Sequence, residues 1–259
     1  MTNAKPSVGR SMKLLLRSGA RKLFGLSVVR FPPVDSLQGH LKTFFRETGI
    51  NCIIDVGAHR GEYGKEVREI GYKGRIVSFE PVRATYEVLS RTARNDRDWQ
   101  AYPYALGDEA GDREIHLYQG TVFNSFLTAS DAGEKRFGRQ IDSRETERVT
   151  VRRLADMFDD CIAGIDEPRV FLKMDTQGWD LRVLNGGGPV LDKLVGIQSE
   201  LPVRQSYEGM VEYTDALNRY AELGFGVTGI FPVTRETDEL RVMEFDCVLI
   251  RHSVASGFA

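Results

Sequence analysis

From residue 51 onward the chain alternates short β-rich runs with stretches of helical periodicity. Cys52-Ile53-Ile54-Asp55-Val56 reads as a buried strand, and residues 62–70 as a helix stopped by Gly71. Arg75-Ile76-Val77-Ser78-Phe79 is a second strand, residues 84–94 a helix, and residues 99–104 a third strand. Residues 113–118 alternate polar and apolar positions, as a half-exposed strand does. Residues 119–147 are polar and irregular, a candidate active-site loop or lid, and residues 149–151 start another short element. Val170-Phe171-Leu172-Lys173-Met174 is the fourth core strand, followed by a helix to about residue 184 that Gly186-Gly187-Gly188-Pro189 ends. Residues 195–198 form a fifth strand, residues 213–223 a helix, and residues 225–230 and 244–250 two closing strands. This order predicts an α/β domain around a mostly parallel sheet with helices on both faces. In such sheets a ligand sits beyond the carboxyl ends of the strands, at the point where strand order reverses. Functional residues are therefore expected just after strands one, two, four and five.

The first 48 residues read differently, as a basic, partly helical extension ahead of a domain over 49–259. Residues 1–34 hold Lys5, Arg10, Lys13, Arg17, Arg21, Lys22 and Arg30 and no acid, so the net charge of −2 places the acidity in the body. Residues 1–11 are small and polar and predict disorder. From Met12 the pattern turns helical: Met12, Leu15, Leu16, Leu23 and Phe24 fall near one face, Lys13, Arg17 and Arg21 on another. Two readings stand: the apolar face packs on the domain, or residues 12–24 make weak contact with an anionic membrane surface. Phe31-Pro32-Pro33 breaks the pattern, and a second helix follows over 36–47. No apolar run approaches the roughly 20 residues that span a bilayer. The three cysteines, Cys52, Cys161 and Cys247, have no metal spacing and predict a reducing, cytoplasmic compartment. With an acidic body and a basic arm poor in aromatics, nucleic acid is not an expected partner. Oligomeric state stays open, a homodimer included.

The first strand runs into Asp55-Val56-Gly57-Ala58-His59-Arg60-Gly61, spaced D-x-G-x-x-x-G. Glycines there let the chain turn sharply and a ligand approach the backbone, and the following helix aims its N–H groups at that ligand. The dinucleotide pattern G-x-G-x-x-G is absent, which disfavours a pyrophosphate loop and a nicotinamide oxidoreductase. The second strand ends in Phe79-Glu80-Pro81. An acid at the tip of strand two, about 20 residues past the glycine loop, is where ribose hydroxyls bind. Asp55, the loop and Glu80 therefore predict an adenosine-type cofactor, and S-adenosylmethionine over NAD. Asp175, after strand four, would sit at the mouth of the sheet, where it orients or deprotonates a hydroxyl. Glu200, after strand five, is a second acid on the same rim. His59 lies in the loop facing the cofactor and is a candidate for binding and for catalysis. Asp180 is expected exposed on a helix or at its cap. No cluster of His, Asp and Glu has metal-ligand spacing, although Asp175 and Glu200 could meet around a cation. The aromatics Tyr118, Phe123, Trp179 and Tyr207 suit stacking on a sugar or packing equally.

These motifs resemble the FkbM family of S-adenosylmethionine-dependent methyltransferases. The carriers are Ile54-Asp55-Val56-Gly57-Ala58-His59-Arg60-Gly61, Val77-Ser78-Phe79-Glu80-Pro81, Ala105-Leu106-Gly107-Asp108, Asn124-Ser125 and Leu172-Lys173-Met174-Asp175-Thr176-Gln177-Gly178. The resemblance implies a Rossmann-like, seven-stranded class I methyltransferase fold. It also implies O-methylation of a small-molecule or glycan-like acceptor: a sugar, glycolipid or polyketide-like natural product. Gly57, Gly61 and Glu80 would bind the cofactor, with Ala58 and Pro81 beside them and Tyr104 and Ala105 near the adenine. Asn124, Ser125 and Asp175 would line the reaction site, Asp175 also touching the cofactor, with Gln177, Trp179 and Glu200 toward the substrate. His59 stands where asparagine is commoner, Gln177 replaces a usual glutamate, and Trp179 replaces a small residue. The Gln177 replacement motivates the alternative of a non-catalytic cofactor-binding scaffold in a biosynthetic complex.

Overall fold

The structure is a computed structural model that describes residues 31–236, 240–255 and 257. The disordered stretch expected over 1–11 and the helix expected over 12–24 lie outside the described residues.

Helix α1 (Leu37–Thr48) starts at Ser36, whose hydroxyl accepts from the Gly39 amide at 3.1 Å, and stops at left-handed Gly49. Its face of Leu41, Phe44 and Phe45 packs on Phe171 and is part of the main core. Strand β1 (Cys52–Val56), helix α2 (Glu62–Glu69), β2 (Arg75–Phe79), helix α3 (Arg83–Ala93) and β3 (Trp99–Tyr102) follow. Next come β4 (Ala105–Gly107), β5 (Gly111–Tyr118), helix α4 (Asp131–Phe137) and β6 (Ser143–Arg153). Helix α5 (Leu154–Ile162), β7 (Val170–Met174), helix α6 (Asp180–Asn185) and β8 (Leu194–Pro202) complete the parallel part. Helix α7 (Tyr213–Glu222), β9 (Phe225–Arg235), β10 (Val242–Arg251) and the short α8 (His252–Ala255) close the chain.

Seven strands form one sheet in the order β3-β2-β1-β7-β8-β10-β9, with β10 antiparallel to both of its neighbours. The order reverses between β1 and β7. These two strands are buried along their whole length, which is why they read as nearly continuous apolar runs. One face carries Ile54, Val56, Leu172 and Met174 against α5, α6 and α7. The other carries Ile53, Ile76, Phe171 and Val248 against α1, α2 and α3.

That second face changes character toward the carboxyl edge. Two residues past Ile53, Ile76 and Phe171 stand Asp55, Ser78 and Lys173, and register pairs Asp55 with both Ser78 and Lys173, and Lys173 with Gln198. One step further lie Glu80, Gly57 and Asp175, each just past its strand, and Glu200, two residues before the end of β8. The sheet therefore passes from an apolar layer, through a paired polar row, to a row of functional groups.

Two expectations need correction here. Residues 103–104 leave the third strand, and β4 joins β5 and β6 in a separate three-stranded sheet. Residues 119–147 are not irregular: they hold α4, two 3₁₀ turns and the start of β6 around a small core of Tyr118, Ile141, Tyr207 and Met210. β6 hid because, among its described side chains, only Val149 and Val151 are buried, so its solvated half shows no alternation.

Candidate active site

A cavity of about 500 Å³ opens where strand order reverses, within the range of pockets for small-molecule ligands. Gly57, Ala58 and His59 form its floor, Glu80, Pro81, Ala105 and Leu106 one end, and Asp175, Gln177, Gln198, Glu200 and Asp246 the other. The segment 121–126, from the insertion between β5 and β6, covers it.

Glu80 is 6% exposed, and its carboxylate accepts from the His59 amide at 2.9 Å, the Val82 amide at 3.0 Å and the Thr85 hydroxyl at 2.8 Å. An ionised carboxylate has about four acceptor sites, so capacity remains for a ligand hydroxyl. Burial pushes the Glu80 carboxyl up to about 7, against the three hydrogen bonds that favour its ionised form. Cofactor affinity is accordingly expected to fall with pH: about tenfold weaker at pH 6 than at pH 8, as Glu80 takes up a proton and loses acceptor sites. Titration calorimetry with S-adenosylhomocysteine measures this, and Glu80→Gln should bind more weakly at every pH with the slope gone. A flat wild-type profile would detach Glu80 from the cofactor.

His59 sits at φ 48° and is half-buried. Its Nε2 lies 2.8 Å from the Thr121 hydroxyl and its Nδ1 3.4 Å from Glu62. Burial lowers its pKa, with Glu62 opposing, so the ring favours the neutral form. Nε2 thus braces the glycine loop to the covering segment, while Nδ1 faces Glu62 at the start of α2.

Asp175 is positioned from both sides. Its Oδ1 accepts from Gln177 Nε2 at 3.2 Å, and its Oδ2 lies 3.6 Å from Lys173 Nζ. Burial alone would lower the Lys173 pKa, but Asp55 at 3.1 Å and Asp175 hold it well above the ordinary lysine range. The loop carrying Asp175 is pinned by Asp180, which accepts from the Thr176 amide and hydroxyl and, at 2.6 Å, from the Ser199 hydroxyl. Asp180 is 7% exposed, against the expectation of a surface carboxylate. Gln177, at φ 51°, is held by Ser125, whose hydroxyl donates to its carbonyl at 2.8 Å, and by the Tyr207 hydroxyl 3.2 Å from its amide oxygen.

Three expected cofactor contacts stand back from the wall. Asp55 is fully buried and spent on Lys173 and Ser78; Lys173, from the same polar row, stands between it and the cavity. Gly61 caps α2 and faces Trp99, whose ring a Cβ there would meet at 3.1 Å. Tyr104 stacks with Tyr102 and lies under Arg152, outside the lining; Ala105 is on the wall. Asn124, Ser125, Gln177, Trp179 and Glu200 all line the cavity. Of the four aromatics, Phe123 and Trp179 do so, whereas Tyr118 and Tyr207 are packed in the small core beneath.

Lys173, Gln198 and Asp246 had not been anticipated. Lys173 read as a strand residue, and Asp246 reaches the site only because β10 inserts beside β8. Seven carboxylates line the cavity (Glu62, Glu66, Glu80, Asp175, Glu200, Glu244 and Asp246) against one cation, Lys173, which is already paired. Such a wall suits a cationic ligand and repels phosphates. A sulfonium nucleoside fits it, with Glu80 as ribose acceptor, an apolar shelf of Ala105, Leu106 and Pro81, and a backbone floor at Gly57 where a Cβ would fall 2.0 Å from the Asp175 carbonyl oxygen. Among the described residues no group of three or more His, Cys, Asp or Glu converges as a metal site, and no helix is long and apolar enough to cross a membrane.

A doubly wound sheet with a cavity at its switch point defines an α/β protein that takes its ligand beyond the carboxyl ends of the strands. The chain belongs to the FkbM family of methyltransferases: the methyltransferase FkbM domain profile matches residues 55–225. It is an S-adenosylmethionine-dependent methyltransferase with the class I fold. No curated protein matches the sequence. Similar solved structures include magnesium protoporphyrin IX methyltransferase from Synechocystis PCC 6803 with bound S-adenosylmethionine, 9% identical, covering 96% of this chain and 100% of that one, TM-score 0.46. Fibrillarin from Aeropyrum pernix with S-adenosylmethionine is 12% identical, covering 90% and 74%, TM-score 0.42. A methyltransferase from Pyrococcus furiosus is 12% identical, covering 94% and 98%, TM-score 0.39. Likeness at these scores carries no functional weight.

Proposed function

We propose that the protein methylates a hydroxyl oxygen of a sugar, glycolipid or polyketide-like natural product, with Asp175 as general base. When bound, the cofactor supplies an electrophilic methyl group on a sulfonium. The observation that carries the reading is the setting of Asp175: its side chain is 38% exposed to the cavity while Lys173 and Gln177 fix both oxygens. A carboxylate so held orients an acceptor O–H and takes its proton as the oxygen attacks. Gln177, the residue that motivated a non-catalytic scaffold, donates to Asp175 and so supports catalysis. Three buried free thiols favour a reducing, cytoplasmic setting.

The test is incubation with methyl-¹³C cofactor and a panel of sugars, glycolipids and polyketides, with the methyl resonance of any product read by NMR. An ether methyl is expected. Methyl transfer only to nitrogen or sulfur would overturn O-methylation while leaving the methyltransferase standing.

A further inference from the structure

The acceptor end of the cavity carries acidic groups that the reading above does not use. Register places three carboxylates side by side across adjacent strands: Asp246 pairs directly with Glu200, and Met174 pairs with Ser199, so Asp175 and Glu200 are the next pair along. Neighbouring strands lie about 5 Å apart, and like charges directly opposite destabilise a sheet. Glu200 is the middle member. It is hemmed in by the β-strands beside it, lines the cavity, and accepts no hydrogen bond from any described residue. Burial, followed by the charges of Asp175, Glu244 and Asp246, raises its pKa well above the carboxylate range, and burial pushes Asp246 up to about 6.

The neighbouring cations are taken. Lys173 serves Asp55 and Asp175, and Arg136 lies 3.6 Å from Glu244. Asp246 is aimed rather than neutralised: Gln198 Nε2 donates to it at 2.9 Å, and the Tyr63 hydroxyl holds Gln198 in turn at 3.1 Å. The pair also stands one and two strands beyond Asp175 on the side away from Glu80, so a cofactor seated at Glu80 and Gly57 leaves it free. A divalent ion is disfavoured, since the carboxylates do not converge to ligand geometry. A neutral hydroxyl donates one hydrogen bond and brings no charge, whereas an ammonium brings three donors and the positive charge that favours the ionised form of Glu200 and Asp246.

We propose that the acceptor is an amino-bearing polyol, whose protonated amine seats between Glu200 and Asp246 while a neighbouring hydroxyl is presented to Asp175. The proposal rests on the O-methyltransferase reading and narrows its substrate class to amino sugars and aminocyclitols. It also accounts for oxygen as the target. The carboxylates keep the nitrogen protonated and without a lone pair, so only the hydroxyl oxygen can form the new bond to the methyl carbon. That carbon's bond to sulfur breaks with its electron pair on sulfur, and the hydroxyl proton goes to Asp175.

The test uses the full chain saturated with S-adenosylhomocysteine at pH 7, titrated with two matched pairs. These are methyl 2-amino-2-deoxyglucoside against methyl glucoside, and 2-deoxystreptamine against myo-inositol. In at least one pair the amine is expected to bind about tenfold tighter or more, the scale of a charge-assisted hydrogen bond. The preference should vanish in Glu200→Gln and in Asp246→Asn, with S-adenosylhomocysteine affinity within about twofold of wild type showing that each variant is folded. Neutral members binding as tightly as the amines, no amine binding in either pair, or a preference that survives both substitutions would each overturn the proposal. Absence of S-adenosylhomocysteine binding in the first titration would instead bring down the methyltransferase reading itself.

Discussion

Asp175→Asn is expected to fold, to bind cofactor within about twofold of wild type, and to lose on the order of 10²–10⁴ in kcat, the span of general-base contributions. The amide fills the same volume and can still meet Gln177, which lies 3.2 Å from Oδ1. It cannot accept a proton. The loss of charge is tolerable for the fold because Lys173 keeps its closer partner, Asp55 at 3.1 Å, whereas Asp175 lies 3.6 Å away. Lys173→Met differs in kind, since it strands Asp55 as an uncompensated buried charge. Single-turnover methyl transfer on an acceptor found by the labelled-cofactor screen separates chemistry from binding. Full turnover by Asp175→Asn would remove it as base. A collapse in Glu200→Gln instead would move that role one strand along.

How much of this was readable beforehand depends on how far each residue's role reaches along the chain. The places of Gly57, Glu80 and Asp175 on the cavity wall were legible because they follow from a local fact: each comes just past a buried strand, and in a doubly wound sheet that position is the mouth. Asp55 was misread by the same logic. It alternates with Ile53 and so faces the correct side, but whether that depth is cavity or core is decided by Lys173, which meets it only when β1 and β7 pair. Asp246 was missed because nothing in the sequence says that β10 slots antiparallel beside β8. Asp180 was read as a surface charge from its position at a helix start; its hydroxyl partners Thr176 and Ser199 sit on two different elements. Helix α5 was legible in hindsight, with Leu154, Met157, Phe158 and Cys161 buried at helical spacing. Local pattern thus located the strand ends, while pairing between distant strands decided which polar residues bind each other and which face the ligand.

The strand-end geometry itself is open to direct attack at Gly57. Its φ is +75°, and an added Cβ would lie 2.0 Å from the Asp175 carbonyl oxygen and 2.9 Å from its carbonyl carbon. Both obstacles are backbone, so no rotamer relieves them. Nor can the loop simply move, because the Asp175 amide donates to the Val56 carbonyl at 3.1 Å, while the amides of Gly57 and Ala58 donate to the Phe79 carbonyl. Gly57→Ala must therefore part β1 from β7 at the point where the proposed cofactor floor and the proposed base meet. The left-handed backbone costs an alanine about 1–2 kcal/mol, and the overlap adds about 1–3 kcal/mol. Together these give about 2–5 kcal/mol, or a melting temperature lower by roughly 10 °C for a chain of this size. Gly71→Ala isolates the first contribution: its φ is +99°, but nothing lies within 4 Å of the added Cβ. It should cost only about 1–2 kcal/mol and leave cofactor affinity untouched, whereas Gly57→Ala should lose both stability and binding. Thermal denaturation of the two variants, with and without S-adenosylhomocysteine, decides the matter. Equal melting temperatures would mean that the contact between Gly57 and Asp175 is looser than the structure has it, and the coupling of floor to base would go with it.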